Sequence, residues 1–148
     1  MNRKLRMGMV GGGKDAFIGA IHRLAANMDG LIELSCGALS INPAVAKDSG
    51  KSLFLPEDRT YLTFEEMITA ESKLPDDKRI DFVTIVTPNF AHFAPAMTAL
   101  DNGFNVVIEK PIAFTLDEAK QLKQKVAETG LLLCLTHTYS GYPMVKQA

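Results

Sequence analysis

Two charged residues, Glu109 and Lys110, stand directly after the apolar run at residues 106–108 and directly before Pro111. A positioned amine can orient a substrate hydroxyl or polarise its oxygen while a base removes the proton. A solvated lysine paired with its neighbouring glutamate is the simpler alternative. Because the pair lies at the tip of a predicted buried strand and before a proline, we predict that Lys110 is catalytic.

A glycine-rich segment, MVGGGKDAFIGAIHR, follows the first apolar run and opens the first predicted helix. Gly11, Gly13 and Ala16 match the pattern G-x-G-x-x-G/A. In that pattern the first glycine permits a tight turn, and the second lets a pyrophosphate approach the backbone. The small third residue lets the helix pack on the strand. Free amides at the helix start would hold the phosphates. The segment predicts a dinucleotide site, and a glycine turn that binds nothing is the alternative.

The register of this motif is open. Gly19 could be the true third glycine, with residues 14–16 lengthening the loop. His22 would then lie one turn into the helix, where a histidine is more often structural than a cofactor contact. The predicted cofactor contacts of this segment are Gly11, Gly12, Gly13, Phe17 and Ile18.

The second predicted strand, in LIELSCGALSINP, ends without a carboxylate. Glu33 lies near its start, and its end offers Ser40 and Asn42. An acid at that end usually binds the adenosine ribose and repels a 2′-phosphate, so its absence removes a barrier to NADP. No arginine is placed to receive the phosphate, and Lys47 is the nearest base. We include Ser40 among the cofactor contacts and leave NAD and NADP as alternatives.

Apolar runs rich in Val, Ile and Leu alternate with helical patterns along the chain. We predict strands at residues 5–10, 31–39, 60–61, 80–87, 104–108 and 131–135. We predict helices at residues 17–28, 43–50 and 91–102, one that begins at the capping box of Thr63 and Glu66, and one from Thr115, capped with Glu118, to Gly130. The first helix has helical spacing of apolar residues on one side, at Ile18, Ile21, Leu24, Ala25 and Met28.

This alternation predicts an α/β fold for residues 1–148, a three-layer doubly wound parallel sheet of about six strands, or Rossmann fold. The expected strand order is 3-2-1-4-5-6. Ligands bind at the carboxyl ends of the strands in such sheets. The tip of the fifth predicted strand would therefore bring Glu109 and Lys110 to the rim of the ligand crevice.

The charge balance excludes several classes of partner. Sixteen Lys and Arg residues against seventeen Asp and Glu residues give a formal net charge of −1, and no basic block stands out. We therefore expect no nucleic acid or anionic membrane as a partner. The uncharged stretch at residues 82–100 is long enough to suggest a membrane span. Pro88, Asn89, His92 and Pro95 interrupt it, and we predict a strand, a loop and a helix there instead.

The two cysteines, Cys36 and Cys134, each lie inside an apolar run. A disulfide framework needs more cysteines, and a metal site needs a cluster of ligands that the sequence lacks. We predict that both are buried core residues, that the protein holds no metal, and that it works in a reducing compartment, the cytoplasm.

Three segments together carry a resemblance to a known family. They are the glycine loop, VTPNFAH at residues 86–92, and EKP at residues 109–111. They resemble the N-terminal domain of the Gfo/Idh/MocA family, the group of glucose–fructose oxidoreductase and inositol dehydrogenase, over essentially the whole chain. The resemblance implies NAD(P)-dependent hydride transfer between the nicotinamide and sugars, inositols or related polyols.

The resemblance also implies roles for site residues. Thr87, Pro88 and Asn89 would contact the cofactor, with His92 nearby; capping of the following helix is the alternative for Asn89 and His92. Lys110 would lie close to the nicotinamide and the substrate.

Glu109 would orient Lys110, and the resemblance also places Glu109 among the cofactor contacts. Pro111 would fix the turn, for which a cis peptide bond is one route.

The family has a second, sheet-rich α/β domain, which supplies most substrate contacts and usually the general base. We expect that this domain is absent from the present chain, which would then bind the cofactor without efficient catalysis. A sugar or polyol would be a partner of the full-length protein only, and oligomers are an open expectation. Two alternatives remain: a non-catalytic dinucleotide-binding regulator or sensor, and a Rossmann-like domain for another nucleotide.

Overall fold

Five parallel strands form one sheet within residues 3–148, the part of the chain that this computed structural model describes. The strands are β1 (Leu5–Gly11), β2 (Ile32–Ala38), β3 (Phe82–Val86), β4 (Asn105–Glu109) and β5 (Leu133–Thr136). Their order across the sheet is β2-β1-β3-β4-β5, and each neighbouring pair is parallel.

The strand predicted near residues 60–61 is reduced to a single bridge. Thr60 pairs in parallel with Gly37 of β2, and the Tyr61 amide donates to the Gly37 carbonyl at 2.9 Å. The bridge lies on the outer side of β2, so the predicted order 3-2-1-4-5-6 holds with its third strand shortened to one pairing. The predicted doubly wound α/β fold is confirmed.

Helices lie on both faces of the sheet. They are α1 (Phe17–Asn27), α2 (Pro43–Ser52), α3 (Phe64–Ser72), α4 (Phe93–Asp101), α5 (Leu116–Thr129) and α6 (Pro143–Gln147). Short 3₁₀ turns occupy Glu57–Arg59, Asn89–Ala91 and Thr138–Gly141. Helices α3, α4 and α5 pack side by side on one face, and α1 packs against β2 on the other. Over residues 3–148, every helix is too short or too polar to cross a bilayer.

The apolar core follows the alternation of side chains along the strands. On the α3–α5 face, Val83, Ile85, Val106 and Ile108 pack with apolar residues of those helices, including fully buried Leu122. On the α1 face, a smaller cluster of Met7, Met9, Leu39 and Val86 receives Ile18 and other partly buried residues. The larger cluster includes Ile85 and Ile108, which lie next to the carboxyl ends of β3 and β4 and anchor these strand ends.

One predicted capping box is complete and the other is complete in one direction only. The Glu118 amide donates to Thr115 Oγ1 at 3.2 Å, and the Glu118 carboxylate accepts from the Thr115 amide at 2.9 Å. At α3, the Glu66 amide donates to Thr63 Oγ1, but the Glu66 carboxylate accepts from the Leu62 amide. Both helices nevertheless begin where the caps predict.

The apolar side predicted for α1 is mostly its exposed side. Ile21, Leu24 and Met28 are 43%, 64% and 77% exposed, whereas His22 and Arg23 point inward and are partly buried. The reason is that the inward side must meet polar groups of the glycine loop and of β4, as described in the next section. Only Ile18 of the predicted set packs into the core beneath the helix.

The two cysteines differ in environment. Cys36 is fully buried, as predicted, and burial raises the pKa of its thiol well above the usual range. Cys134 is exposed, so the prediction of a second core cysteine is wrong. It lies on the edge strand β5, and its side chain alternates with those of Leu133 and Leu135, which pack on the α5 side.

Candidate dinucleotide site and active site

The predicted site residues gather at the carboxyl ends of neighbouring strands. β1 ends at Gly11, which pairs with Val86 at the end of β3, and Thr87 follows directly. A cavity of about 300 Å³ opens between these tips and is lined by Gly11, Ser40 and Thr87 together with Ile41 and Leu62. The structure thus brings together residues from three of the predicted segments, around a cleft with largely apolar walls.

The glycine loop needs glycine for two different reasons. Gly11 and Gly12 adopt φ angles of 79° and 72°, which side-chain-bearing residues rarely adopt. At Gly13 the obstacle is contact, since an added Cβ would lie 2.8 Å from both the Leu39 carbonyl oxygen and Ser49 Oγ. The Gly13 amide donates to that same carbonyl at 3.1 Å. The turn is therefore held tightly against the end of β2 and against α2.

Gly19, rather than Ala16, makes the close approach between helix and strand. A Cβ on Gly19 would lie 2.4 Å from the Gly12 Cα atom, closer than any real Cβ contact. Ala16 precedes the helix as its N-cap residue. Of the two registers left open by the sequence, the packing geometry favours the longer loop that ends at Gly19.

The start of α1 has no capping side chain. Ala16 cannot accept a hydrogen bond through its side chain, whereas Asn42, Thr63 and Thr115 cap α2, α3 and α5. The first amides of an α-helix have no intrahelical acceptor, and they carry the positive end of the helix dipole. The amides at the start of α1, which include those of Phe17 and Ile18, are therefore suited to an anionic ligand.

The end of β2 is polar and carries no carboxylate. Ser40 Oγ accepts from the Asn42 amide at 3.1 Å, and the Asn42 side chain in turn caps α2. Asp48, on α2, is paired with Lys14 of the glycine loop, and that ammonium lowers the pKa of the carboxyl. Lys47, the base that the sequence places nearest to the strand end, lies on the second turn of α2.

Glu109 is buried at the tip of β4 and both its oxygens have partners. Oε1 lies 2.8 Å from His22 Nε2, and Oε2 accepts from the Lys110 amide at 3.1 Å. The Lys110 side chain is exposed, and no ion pair of its ammonium is present in residues 3–148. The Lys110–Pro111 peptide bond is cis, as the resemblance suggested. Glu109 thus contacts the backbone amide of Lys110 and not its amine.

The loop after β3 is held by its own hydrogen bonds. Thr87 Oγ1 donates to the Ala91 carbonyl at 3.0 Å, and Asn89 Oδ1 accepts from the Phe90 amide at 2.9 Å. Pro88 and Asn89 are exposed.

His92 is only 1% exposed and makes no side-chain cap to α4. Its Nδ1 lies 2.7 Å from the Pro111 carbonyl oxygen and its Nε2 lies 2.9 Å from the Thr87 carbonyl oxygen. Both ring nitrogens therefore face backbone carbonyls, and the nitrogen that carries hydrogen donates to one of them. This geometry places His92 between two loops, and its contact with the cofactor stays a prediction.

Sequence reasoning missed Arg23, which lies on the inward side of α1. Its guanidinium donates to the Gly12 carbonyl and contacts Met9 Sδ at 3.4 Å, and burial lowers its pKa. A pattern analysis treats an arginine in a helix as a solvated residue. The signal in the sequence is the helical spacing, which places Arg23 on the side of α1 opposite the apolar residues. In the structure this polar side is the one that faces inward.

No group of three or more His, Cys, Asp and Glu side chains that could hold a metal ion occurs between residues 3 and 148.

A doubly wound parallel sheet with a glycine loop after its first strand, and polar residues at the next two strand tips, defines a dinucleotide-binding Rossmann domain. Residues 5–137 match the family model described as an oxidoreductase family with an NAD-binding Rossmann fold. The chain therefore belongs to the Gfo/Idh/MocA oxidoreductase family, as the three motifs predicted. The cofactor of this domain is a nicotinamide dinucleotide, NAD or NADP.

Relatives of this chain include proteins of known structure. An uncharacterised oxidoreductase of Bacillus subtilis, YfiI, is 34% identical over 148 residues, which are 99% of this chain and 37% of the relative. An oxidoreductase from Sinorhizobium meliloti is 47% identical with a TM-score of 0.92, covering 99% of this chain and 40% of that one.

An inositol dehydrogenase homologue from Azotobacter vinelandii, solved with NADH and myo-inositol, is 35% identical with a TM-score of 0.93. The matched region covers 99% of this chain and 38% of the homologue's chain. The chain thus spans less than half the length of these relatives.

Proposed function

We propose that this chain is the nucleotide-binding part of a dehydrogenase that moves a hydride between the nicotinamide and a secondary alcohol carbon of a sugar, inositol or related polyol. The observation that carries the proposal is the exposed amine of Lys110, which lacks an ion pair in the described residues and projects from the tip of β4. The myo-inositol bound by the Azotobacter vinelandii homologue supports the substrate class.

In this proposal the glycine loop holds the pyrophosphate. Gly11, Gly12 and Gly13 let it approach the backbone, and the uncapped amides of Phe17 and Ile18 donate to it. Ser40, which lines the cavity at the end of β2, would contact the adenosine ribose.

Thr87, Pro88 and Asn89 form the wall after β3. Glu109 holds the turn at residues 109–111, behind the part of the cleft that would receive the nicotinamide. When bound, the cofactor supplies the hydride chemistry itself.

Lys110 acts on the substrate oxygen. Its ammonium donates a hydrogen bond to the hydroxyl and stabilises the negative charge that develops as a base takes the proton. We propose that this base, and most substrate contacts, come from a second domain of the kind that the family has. The chain alone would then bind nucleotide with little turnover. Because Cys36 and Cys134 are both free thiols, we propose the cytoplasm as the site of action.

The melting temperature with and without saturating NAD or NADP tests the cofactor site. A ligand at a hundredfold excess over its Kd stabilises the folded state by about 2.7 kcal/mol. We expect a clear upward shift with at least one nucleotide, and the size of the two shifts identifies the preferred one. No shift with either would contradict the proposed function of the isolated domain.

The alternative function, a regulator that senses the nucleotide, would need the glycine loop but not Lys110, and a polyol screen of the full-length protein discriminates between the two.

The need for a second domain has its own test. Incubation of the chain with NAD and a panel of polyols, followed by NADH absorbance, measures turnover. We expect none above background. Measurable oxidation of a polyol by this chain alone would contradict the need for a second domain.

A further inference from the structure

The turn at Glu109, Lys110 and Pro111 is held from two sides. On one side the Glu109 carboxylate accepts from the Lys110 amide, and on the other the Pro111 carbonyl faces His92. The Lys110 side chain is the exposed part of this segment, while Glu109 is only 7% exposed. The direction of the Lys110 side chain therefore depends on two contacts, one made by Glu109 before it and one made by Pro111 after it.

The first contact comes from α1, the helix that the glycine loop opens. His22 Nε2 and Glu109 Oε1 lie 2.8 Å apart, and the two side chains are only 11% and 10% exposed. The two residues are 87 positions apart in sequence. A carboxylate that is held at one oxygen by an imidazole presents its other oxygen in a fixed direction, here to the Lys110 amide.

The second contact comes from the start of α4. The two nitrogens of His92 face the carbonyl oxygens of Pro111 and Thr87 at 2.7 and 2.9 Å. Carbonyl oxygens only accept hydrogen bonds, so any ring nitrogen that carries hydrogen finds an acceptor here. The ring thereby lies between the loop after β3 and the turn after β4, and its N–H donates to a carbonyl of one of them.

We propose that His22 and His92 form a histidine clamp, two positioning residues that fix the Lys110 turn against the glycine-loop helix and against the Thr87 loop. This proposal rests on the proposed function, because it takes the clamped turn to lie at the end of the cleft that binds the nicotinamide. Neither histidine touches the reacting atoms. The clamp acts through Glu109 and Pro111, and it sets where the Lys110 amine stands relative to the bound nucleotide.

Hydrogen exchange of the Lys110 amide measures the clamp without any ligand. His22→Leu removes the partner of Glu109, whereas His22→Gln keeps a donor for it. We expect about tenfold faster exchange of the Lys110 amide in the leucine variant, and recovery to within about threefold in the glutamine variant. His137→Leu is the matched control, since His137 is the third histidine of the chain and is exposed. It should leave this amide unchanged.

Binding of NAD and of ADP-ribose, followed by calorimetry, tests what the clamp does. ADP-ribose keeps the pyrophosphate but lacks the nicotinamide. In His22→Leu and His92→Leu we expect NAD to bind about tenfold more weakly and ADP-ribose to change less than about twofold. General destabilisation of the fold would instead weaken both ligands in proportion. If His92→Leu fails to fold, the pair of His22 variants decides.

Three results would overturn the clamp. They are equal exchange of the Lys110 amide in His22→Leu and in the wild type, proportional weakening of both ligands, and a wild type that binds NAD no better than ADP-ribose. A wild type that binds neither ligand contradicts the proposed function instead, and the exchange measurement still decides whether the clamp exists.

Discussion

The amine of Lys110 is placed differently from those of lysines that stabilise the fold. Lys14 and Lys125 pair with Asp48 and Asp101, whereas no carboxylate pairs with Lys110 within residues 3–148. Its buried neighbour Glu109 is already satisfied by His22 and by the backbone. An unpaired amine on a held backbone can turn to a ligand without breaking an existing ion pair.

Lys110→Ala should separate catalysis from stability. Because the side chain is exposed, we expect the melting temperature of the variant and its affinity for ADP-ribose to stay close to those of the wild type. When the domain is joined to a substrate domain, turnover should fall by about 10²–10³-fold, the usual effect of losing one donor to a developing oxyanion. Steady-state kinetics on that two-domain protein check this. Unaltered turnover would exclude Lys110 from the mechanism.

Asp81 makes one part of the stability depend on pH. Its carboxylate accepts from the Arg3 guanidinium at 2.7 and 2.8 Å and from the Arg6 amide at 2.7 Å. The hydrogen bond from Arg3, the largest effect, and the Arg6 amide lower the pKa of Asp81 below its ordinary value. A carboxyl with a lowered folded-state pKa contributes stability above its unfolded pKa and loses that contribution as the pH falls through the folded value.

We expect Asp81→Asn to be less stable than the wild type at neutral pH. The difference should shrink once the pH falls below about 4, near the ordinary pKa of aspartate. Urea unfolding of both proteins across the acid range measures it. A difference that stays constant from about pH 6 to about pH 3 would mean that Asp81 is not held by these charges.

At the scale of elements, α1 shows most clearly that contacts with other parts of the chain set which side of a helix faces inward. Its spacing predicts an apolar side, but that side faces outward. His22 binds Glu109 and Arg23 binds the Gly12 carbonyl, and neither partner can be read from a helical pattern. Gly19 completes the inward side by its contact with Gly12.

Gly19→Ala should disturb the glycine turn. Alanine is the better helix former by about 1 kcal/mol, but its Cβ would lie 2.4 Å from the Gly12 Cα atom. We expect a net loss of about 1–3 kcal/mol, the usual cost of overpacking, together with weaker nucleotide binding. Gly141→Ala is the control, because a Cβ there meets nothing within 4 Å. Equal stability of the two variants in urea would remove Gly19 from the motif.

How far the sequence predicts the structure depends on the range of the interactions. The five strands, the complete cap at Thr115 and the gathering of strand tips follow from local patterns and from the rule for parallel sheets. The shortened third strand, the exposed Cys134 and the positions of His22 and His92 depend on what packs beside them. Local composition carries little information about such neighbours.

At the scale of the whole molecule, Glu71 joins three separate parts of the fold. It is fully buried on α3 and pairs with Arg59, accepts from the Tyr61 hydroxyl at 3.1 Å, and accepts from the Ile80 amide at 3.2 Å. Burial is the main cause that raises the pKa of Tyr61, and the Glu71 charge adds to it. This cluster anchors the outer side of β2 to α3 and to the chain entering β3.

Glu71→Ala should therefore destabilise the whole domain. Removing one partner of a buried ion pair typically costs about 3–5 kcal/mol, because the remaining charge and donors lose their partner. Urea unfolding measures the change. Lys120→Ala, which removes an exposed pair with Asp117 at 3.8 Å, should leave the midpoint unchanged. A similar small effect from both would show that water replaces Glu71.

The strand order also has a consequence for biosynthesis. Strand β1 leaves the ribosome before the other four strands but ends up inside the sheet, and its contact from the Arg6 amide to Asp81 spans 75 residues. One edge of β1 therefore stays open until β3 has been synthesised, and closing so long a loop slows folding. Nascent chains that stall before residue 82 present an unpaired apolar strand, the usual starting point of aggregation, and would depend most on chaperones.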